Sequence, residues 1–154
     1  MVLAAALVGC SADPPAEPAP PKIDFTVGAK KVTARPYLYC NLDLKDCKQD
    51  NAAMVRVVAG VGASVRVKVP KDVADAPWSV VIQYRTAAGE QVAPETAATF
   101  GPGKASTFEA KPPTAGDQLQ TVEVKQAGGK LGRDENGEPI PLVRGVWSAQ
   151  VSAS

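Results

Sequence analysis

Three cysteines are the residues of this 154-residue chain best placed to do chemistry. Leu7-Val8-Gly9-Cys10 presents an apolar run, a small residue and then a sulfur that a diacylglyceryl group can alkylate. Cys10 is therefore expected to be lipidated. Residues 1–9 read as a truncated lipoprotein signal, because nine residues with no Lys or Arg make a short leader and put the true start of translation upstream. In an exported protein, Cys40 and Cys47 are expected to pair as a disulfide.

Geometry restricts what lies between those two cysteines. A bridge needs Cα atoms about 4.4 to 6.8 Å apart, whereas seven extended steps span roughly 23 Å and seven helical steps about 10 Å. Residues 41–46 must therefore double back as a compact loop, with Asn41, Asp43 and Asp46 available to bond its own backbone. A local bridge of this kind pre-orders a protruding loop, so Tyr37, Tyr39, Asp43 and Asp46 form the candidate interaction surface. The same bridge also reads as a simple fastening for a poorly packed crossover.

Histidine is absent, which removes the commonest general base, the commonest metal ligand and every Ser-His or Cys-His nucleophile pair. The chain is read as a non-enzyme without a cofactor. Asp43 and Asp46 are the nearest thing to an acid and base pair, but nothing in their spacing makes them converge. Asp134, Asn136 and Glu138 form an oxygen-rich cluster with alternate spacing that loosely suits Ca²⁺. They flank an Asn-Gly turn, and the plainer expectation for them is a solvated hairpin tip.

The elements that hold these groups follow from patterning. Residues 10–22 join the lipidated cysteine to a Pro-rich tether that can form neither a helix nor a sheet interior. Extended as polyproline II, the tether lifts the remainder of the chain roughly 35 to 40 Å off a bilayer. Residues 23–154 make one domain with its own core. Seventeen basic and sixteen acidic residues, interspersed along the chain, give a net charge of +1 and point to no nucleic-acid partner. The longest later apolar run, residues 54–63, is broken by Arg56, Gly60 and Gly62 and falls far short of the ~20 residues of a membrane span.

Within the domain, alternation with period two recurs: Ile23, Phe25 and Val27; Val65, Val67 and Val69; Val122 and Val124. Trp78, Val80, Ile82 and Tyr84 share a face in the clearest strand, with Trp78 as a core anchor. Residues 91–100 are ambiguous because Pro94 interrupts them, and residues 127–144 read as a long loop around Asn136-Gly137. About seven strands and no uninterrupted helix predict an immunoglobulin-like β-sandwich. Leu119 stands where many such domains carry a tyrosine, and Cys40–Cys47 is not their inter-sheet bridge.

Tyr39-Cys40-Asn41-Leu42-Asp43-Leu44-Lys45-Asp46-Cys47, then Val69-Pro70, then Asp72-Val73-Ala74-Asp75-Ala76-Pro77-Trp78 running into Val81-Ile82-Gln83-Tyr84-Arg85, resembles a family of small actinobacterial secreted proteins of unknown function. The resemblance spans about residues 23–151. It implies an envelope location and a lipoprotein leader in many members, and supplies no activity, ligand or site residue.

The expected function is that of a binding or interaction module anchored through lipid to the outer face of the cytoplasmic membrane. Its ligand would be an envelope protein or glycan. The alternatives are a cation-binding lipoprotein and an accessory structural subunit that pairs an exposed edge strand with a larger envelope protein.

Overall fold

Alternation along the chain translates directly into two packed sheets. In the computed structural model, which describes residue 9 and residues 12–153, β7 (Trp78–Arg85) buries Trp78, Val80 and Ile82 and leaves Ser79, Val81 and Gln83 half-covered on the other face. The smaller sheet has the order β2 (Lys30–Ala34), β1 (Ile23–Val27), β6 (Val65–Lys68), β9 (Thr107–Ala110). The larger has the order β4 (Cys47–Gln49), β3 (Leu38–Cys40), β11 (Pro139–Ser152), β10 (Gln118–Arg133), β7, β8 (Glu95–Phe100), and β5 (Val55–Val58) pairs in parallel with the end of β11. Cys10 lies outside the described residues. Among those described, no helix is long and apolar enough to cross a membrane.

Strands β6 and β9 lie side by side in one sheet while β7, β10 and β11 are neighbours in the other. These are the places of strands B and E, and of C, F and G, in an immunoglobulin-like sandwich. The expected fold therefore stands, with a larger strand count. Eleven strands are present among the described residues where about seven were expected. Three-residue β3 and β4 are too short to show alternation, β8 starts immediately after Pro94, and β10 and β11 run on through the stretch that read as a long loop.

The core forms where Ile23, Phe25, Val65 and Val67 of the small sheet meet Trp78, Val80, Val122, Val124 and Trp147 of the large one. Each buried tryptophan hides on the order of 200 Å², a gross apolar contribution of about 5 kcal/mol. Their indole N–H groups are both satisfied: Trp78 donates to the Ala105 carbonyl at 3.2 Å and Trp147 to the Pro21 carbonyl at 2.9 Å.

One end of the sandwich is tied by Asp117. Its carboxylate accepts the N–H groups of Ala87 at 3.1 Å and Thr114 at 3.2 Å, and its carbonyl accepts that of Gly62 at 2.8 Å. Three connections meet there. Gly62 has φ +71°, and a Cβ on it would lie 2.5 Å from the Ala115 carbonyl oxygen. Leu119, at the position where a tyrosine would secure this corner, is buried in the core instead. The corner is thus fastened by a carboxylate and filled by a leucine.

Candidate functional site

Beyond Gln126 and Gly145, β10 and β11 leave the body of the sandwich as a two-stranded hairpin. Two irregularities set its course. On β11, Arg144 is passed over between the pairs Gln126–Gly145 and Ala127–Val143; on β10, residues 128–130 stand opposite Leu142 alone. Such bulges bend a strand and re-aim side chains. The first directs the Arg144 guanidinium over the Tyr39 ring, 5.0 Å from its centroid, while its Nε donates to the Cys40 carbonyl at 3.3 Å. The second opens space at Gly128, where a Cβ would meet Leu44.

The Cys40–Cys47 disulfide is present, and because it joins directly opposed residues at the end of the β3–β4 ribbon its Cα atoms lie 3.9 Å apart, closer than the span expected from the sequence. The loop doubles back between them. Asn41 organises it: its Oδ1 accepts the Lys45 N–H at 3.0 Å, its Nδ2 donates to Asp46 at 2.9 Å, and its N–H donates to the Asp46 carbonyl at 3.1 Å. Leu44 takes φ +58° and lies against Gly128. Lys130 reaches back from the hairpin to the Asp43 carbonyl at 2.8 Å. Loop and hairpin are therefore one structure.

The four residues singled out from the sequence divide in role. Asp43 and Asp46 are exposed on the loop, with the Asp46 carboxylate turned to Asn41. Tyr39 packs edge-on to Trp147, ring centroids 6.1 Å apart, and Tyr37 is held in the sheet by its N–H to the Val146 carbonyl at 2.8 Å. Both tyrosines are half-covered. Burial pushes the Tyr39 phenol above its ordinary range, Arg144 opposes this, and Asp72 adds to it. Gly145 makes the stack fit, since a Cβ there would lie 2.6 Å from the Trp147 ring and 3.0 Å from that of Tyr39.

What patterning missed is apolar. Leu42 is 74% exposed, Leu131 71%, Ile140 40% and Leu142 38%, and all four lie on the disulfide loop or the hairpin. At the hairpin base, Pro77, Thr96, Thr99, Lys125, Pro141 and Val143 border an open groove of about 240 Å³. Its walls are mainly apolar, and Lys125 is engaged with Glu123 at 3.2 Å. The signal was the apolar run Pro139, Ile140, Pro141, Leu142, Val143, which has no polar alternation and which two prolines and four nearby glycines made read as a loop.

At the hairpin tip, Asp134 holds a turn: its Oδ1 accepts the N–H groups of Asn136 and Glu138, each at 2.9 Å, and Gly137 takes φ +82°. Arg133 donates to the Gly137 carbonyl at 2.6 Å. Among the described residues no three acidic or thiol side chains converge as metal ligands. The hydrogen bonds account for Asp134, Asn136 and Glu138 as a turn.

The family profile described as "Protein of unknown function (DUF2771)" matches residues 16–152. The chain belongs to that family. No curated protein matches it. The family's matched stretch takes in part of the Pro-rich segment before β1, the disulfide loop and the whole hairpin, so every part of the candidate surface is within it.

Proposed function

We propose that this protein is an extracytoplasmic lipoprotein, anchored through Cys10, that works as a non-catalytic binding module of the cell envelope. The observation that carries the reading is the gathering of Leu42, Leu131, Ile140 and Leu142 on one end of a rigid sandwich. Side chains of this kind are exposed at a cost in solubility, and a group of them on a braced projection suits an interface. The bracing is the disulfide, the Asn41 network and the Lys130 bond to Asp43, which together lower the ordering lost on binding. The groove at the hairpin base shares Pro141 and Val143 with the hairpin, and its polar lining is Ser79, Thr96, Thr99 and Lys125.

Edge pairing with a larger envelope protein has less support. Among the described residues the free edges are β2, which carries Lys30 and Lys31; β9, which carries Glu109; β5, which carries Arg56; three-residue β4; β8, whose register slips at Ala97; and the hairpin arms, where Pro139 and Pro141 remove donors and the register shifts. Charges, shortness and bulges are the devices that keep edges from pairing.

The test is a crosslink and pull-down from native membranes with the wild type, Cys10→Ser, and Leu131→Ser combined with Ile140→Ser. A specific partner held by the wild type and lost from both variants supports a tethered module that binds through the hairpin. Equal recovery with all three, or no partner at all, overturns it.

A further inference from the structure

Charges that lie scattered along the chain are gathered by strand alternation on one face of the smaller sheet. Ile23, Phe25, Ala34, Val65, Val67 and Ala110 turn into the core, so the residues between them turn out. The register then aligns two outward rows across all four strands: Lys31, Thr26, Arg66 and Glu109 in one, Thr33, Asp24, Lys68 and Thr107 in the next. Lys22, Arg35 and Lys111 continue the alternation just beyond the ends of β1, β2 and β9. All six cations are exposed, and they share the face with two carboxylates. In a chain of net charge +1, this leaves the rest of the molecule net acidic.

Neighbouring groups do not cancel the surplus. Arg35 is taken by Asp50 at 3.2 Å, beyond the edge of the sheet. Lys31 lies 3.5 Å from Asp24 and Lys111 3.9 Å from Glu109, and each carboxylate also accepts a hydroxyl at 2.6 Å, from Thr33 and Ser64 respectively. Lys22, Arg66 and Lys68 enter no ion pair among the described residues, nor do Asp13 and Glu17 of the tether. On the single helical turn α1 (Lys71–Ala74), which follows β6, Lys71 is bonded to Asp75 and the Asp72 charge acts on Tyr39 of the other sheet.

The make-up of the face selects its partner. The 240 Å³ groove opens on the larger sheet, and none of the large exposed apolar side chains among the described residues lies on the smaller one, so it offers no apolar centre to a protein interface. Phe25 and Phe108 turn to the core, which leaves no ring for nucleic-acid bases to stack on. What remains is ammonium, guanidinium and threonine hydroxyl groups on an open sheet, suited to a layer of phosphate headgroups held by charge without insertion. The tether enters β1 through Lys22, so on the lipid-anchored reading given above, on which this choice of partner rests, the anchor delivers this face to a bilayer. A basic patch beside an acylated cysteine is then a second attachment.

We propose that the outer face of the smaller sheet is an electrostatic membrane-binding surface, which lays the sandwich on anionic phospholipid headgroups through Lys22, Lys31, Arg66, Lys68 and Lys111.

The experiment sediments the full chain carrying Cys10→Ser with phosphatidylcholine vesicles, and with vesicles in which about one lipid in three is phosphatidylglycerol. The uncharged vesicles read any contribution of residues 1–9. Two variants carry the same change of charge: Arg66→Glu with Lys68→Glu on the face, and Arg56→Glu with Arg85→Glu on the larger sheet, where both arginines are exposed and outside any ion pair among the described residues. Thermal melting checks that both fold, and Arg66→Gln with Lys68→Gln replaces the face variant if it does not. Binding to the anionic vesicles is expected to be at least tenfold tighter than to the uncharged ones, to fall at least fivefold in the face variant, to hold in the other, and to be lost as salt rises to about 0.5 M. Equal binding to both vesicles, equal loss in both variants, indifference to Arg66 and Lys68, persistence in high salt, or release from the vesicles by duplex DNA at equal phosphate concentration overturns the proposal. Because Cys10→Ser removes the anchor, the result is independent of lipidation. If the natural chain behaves like Cys10→Ser on membrane fractionation while the vesicle pattern is as expected, the anchor reading fails and the basic face stands.

Discussion

Replacing both bridge cysteines, Cys40→Ser with Cys47→Ser, tests whether the disulfide loop is braced or merely decorated. The ring contains eight residues, and the chain-entropy relation gives about 2.5 kcal/mol for closing it. Unfolding entropy near 2.1 cal/mol/K per residue, over a domain of about 130 residues, comes to roughly 270 cal/mol/K, so the loss corresponds to a fall in Tm of about 9 °C. The native contacts reduce this only in part. Asn41 closes the same loop with three hydrogen bonds, which persist without the bridge but no longer limit the unfolded chain. The measurement is thermal unfolding followed by circular dichroism, in a Cys10→Ser background so that no third thiol can exchange. Hydrogen exchange should rise at the N–H groups of Asn41 and Lys45 and stay unchanged in β7. A fall in Tm below 2 °C would refute the reasoning, because the ring would then be closed by Asn41 in the unfolded chain as well. Faster exchange throughout β7 would refute it differently, by making the bridge a support of the core.

Asp117→Ala should cost about 1 to 2 kcal/mol, since it removes the carboxylate that accepts the N–H groups of Ala87 and Thr114, and urea unfolding reads this directly. Gly62→Ala should lower stability by at least 2 kcal/mol, as it combines a positive φ with a Cβ against the Ala115 carbonyl; a change under 0.5 kcal/mol in the same assay would show that the turn relaxes. The raised Tyr39 phenol makes the folded state hold its proton longer than the unfolded one. Its contribution is complete below pH 10, the unfolded value, and is lost as pH climbs through the folded value, so Tyr39→Phe should flatten the alkaline fall in Tm above pH 10.

Strands whose two faces differ were legible. In β1, β6 and β7 alternate side chains go to the core, and period two is the direct record of that division. The loop closure at Cys40–Cys47 was legible because bond lengths leave no other course. The hairpin was not. Pro139 and Pro141 forbid a central strand, but on the hairpin side of Gly145 β11 is paired with β10 alone, and its outer edge needs no N–H donors. Its apolar side chains face solvent on both sides, so no alternation marks it. The roles of Arg144 and Asp117 were hidden for another reason: each depends on a partner far along the chain, Arg144 on Cys40 and Asp117 on Ala87.

The pairing of β11 carries a consequence for the order in which the molecule can be made. This last strand borders β10, β3 and β5 at once, so the final fourteen residues of the ladder complete the larger sheet on both sides. Until they have emerged, β3 and β5 have no neighbour in that sheet apart from β4, and Trp147 is missing from the centre of the core. A growing or partly threaded chain therefore cannot close early. It becomes the complete sandwich only when its last strand arrives, because only β11 gives β3 and β5 their places in the larger sheet and brings Trp147 to the core.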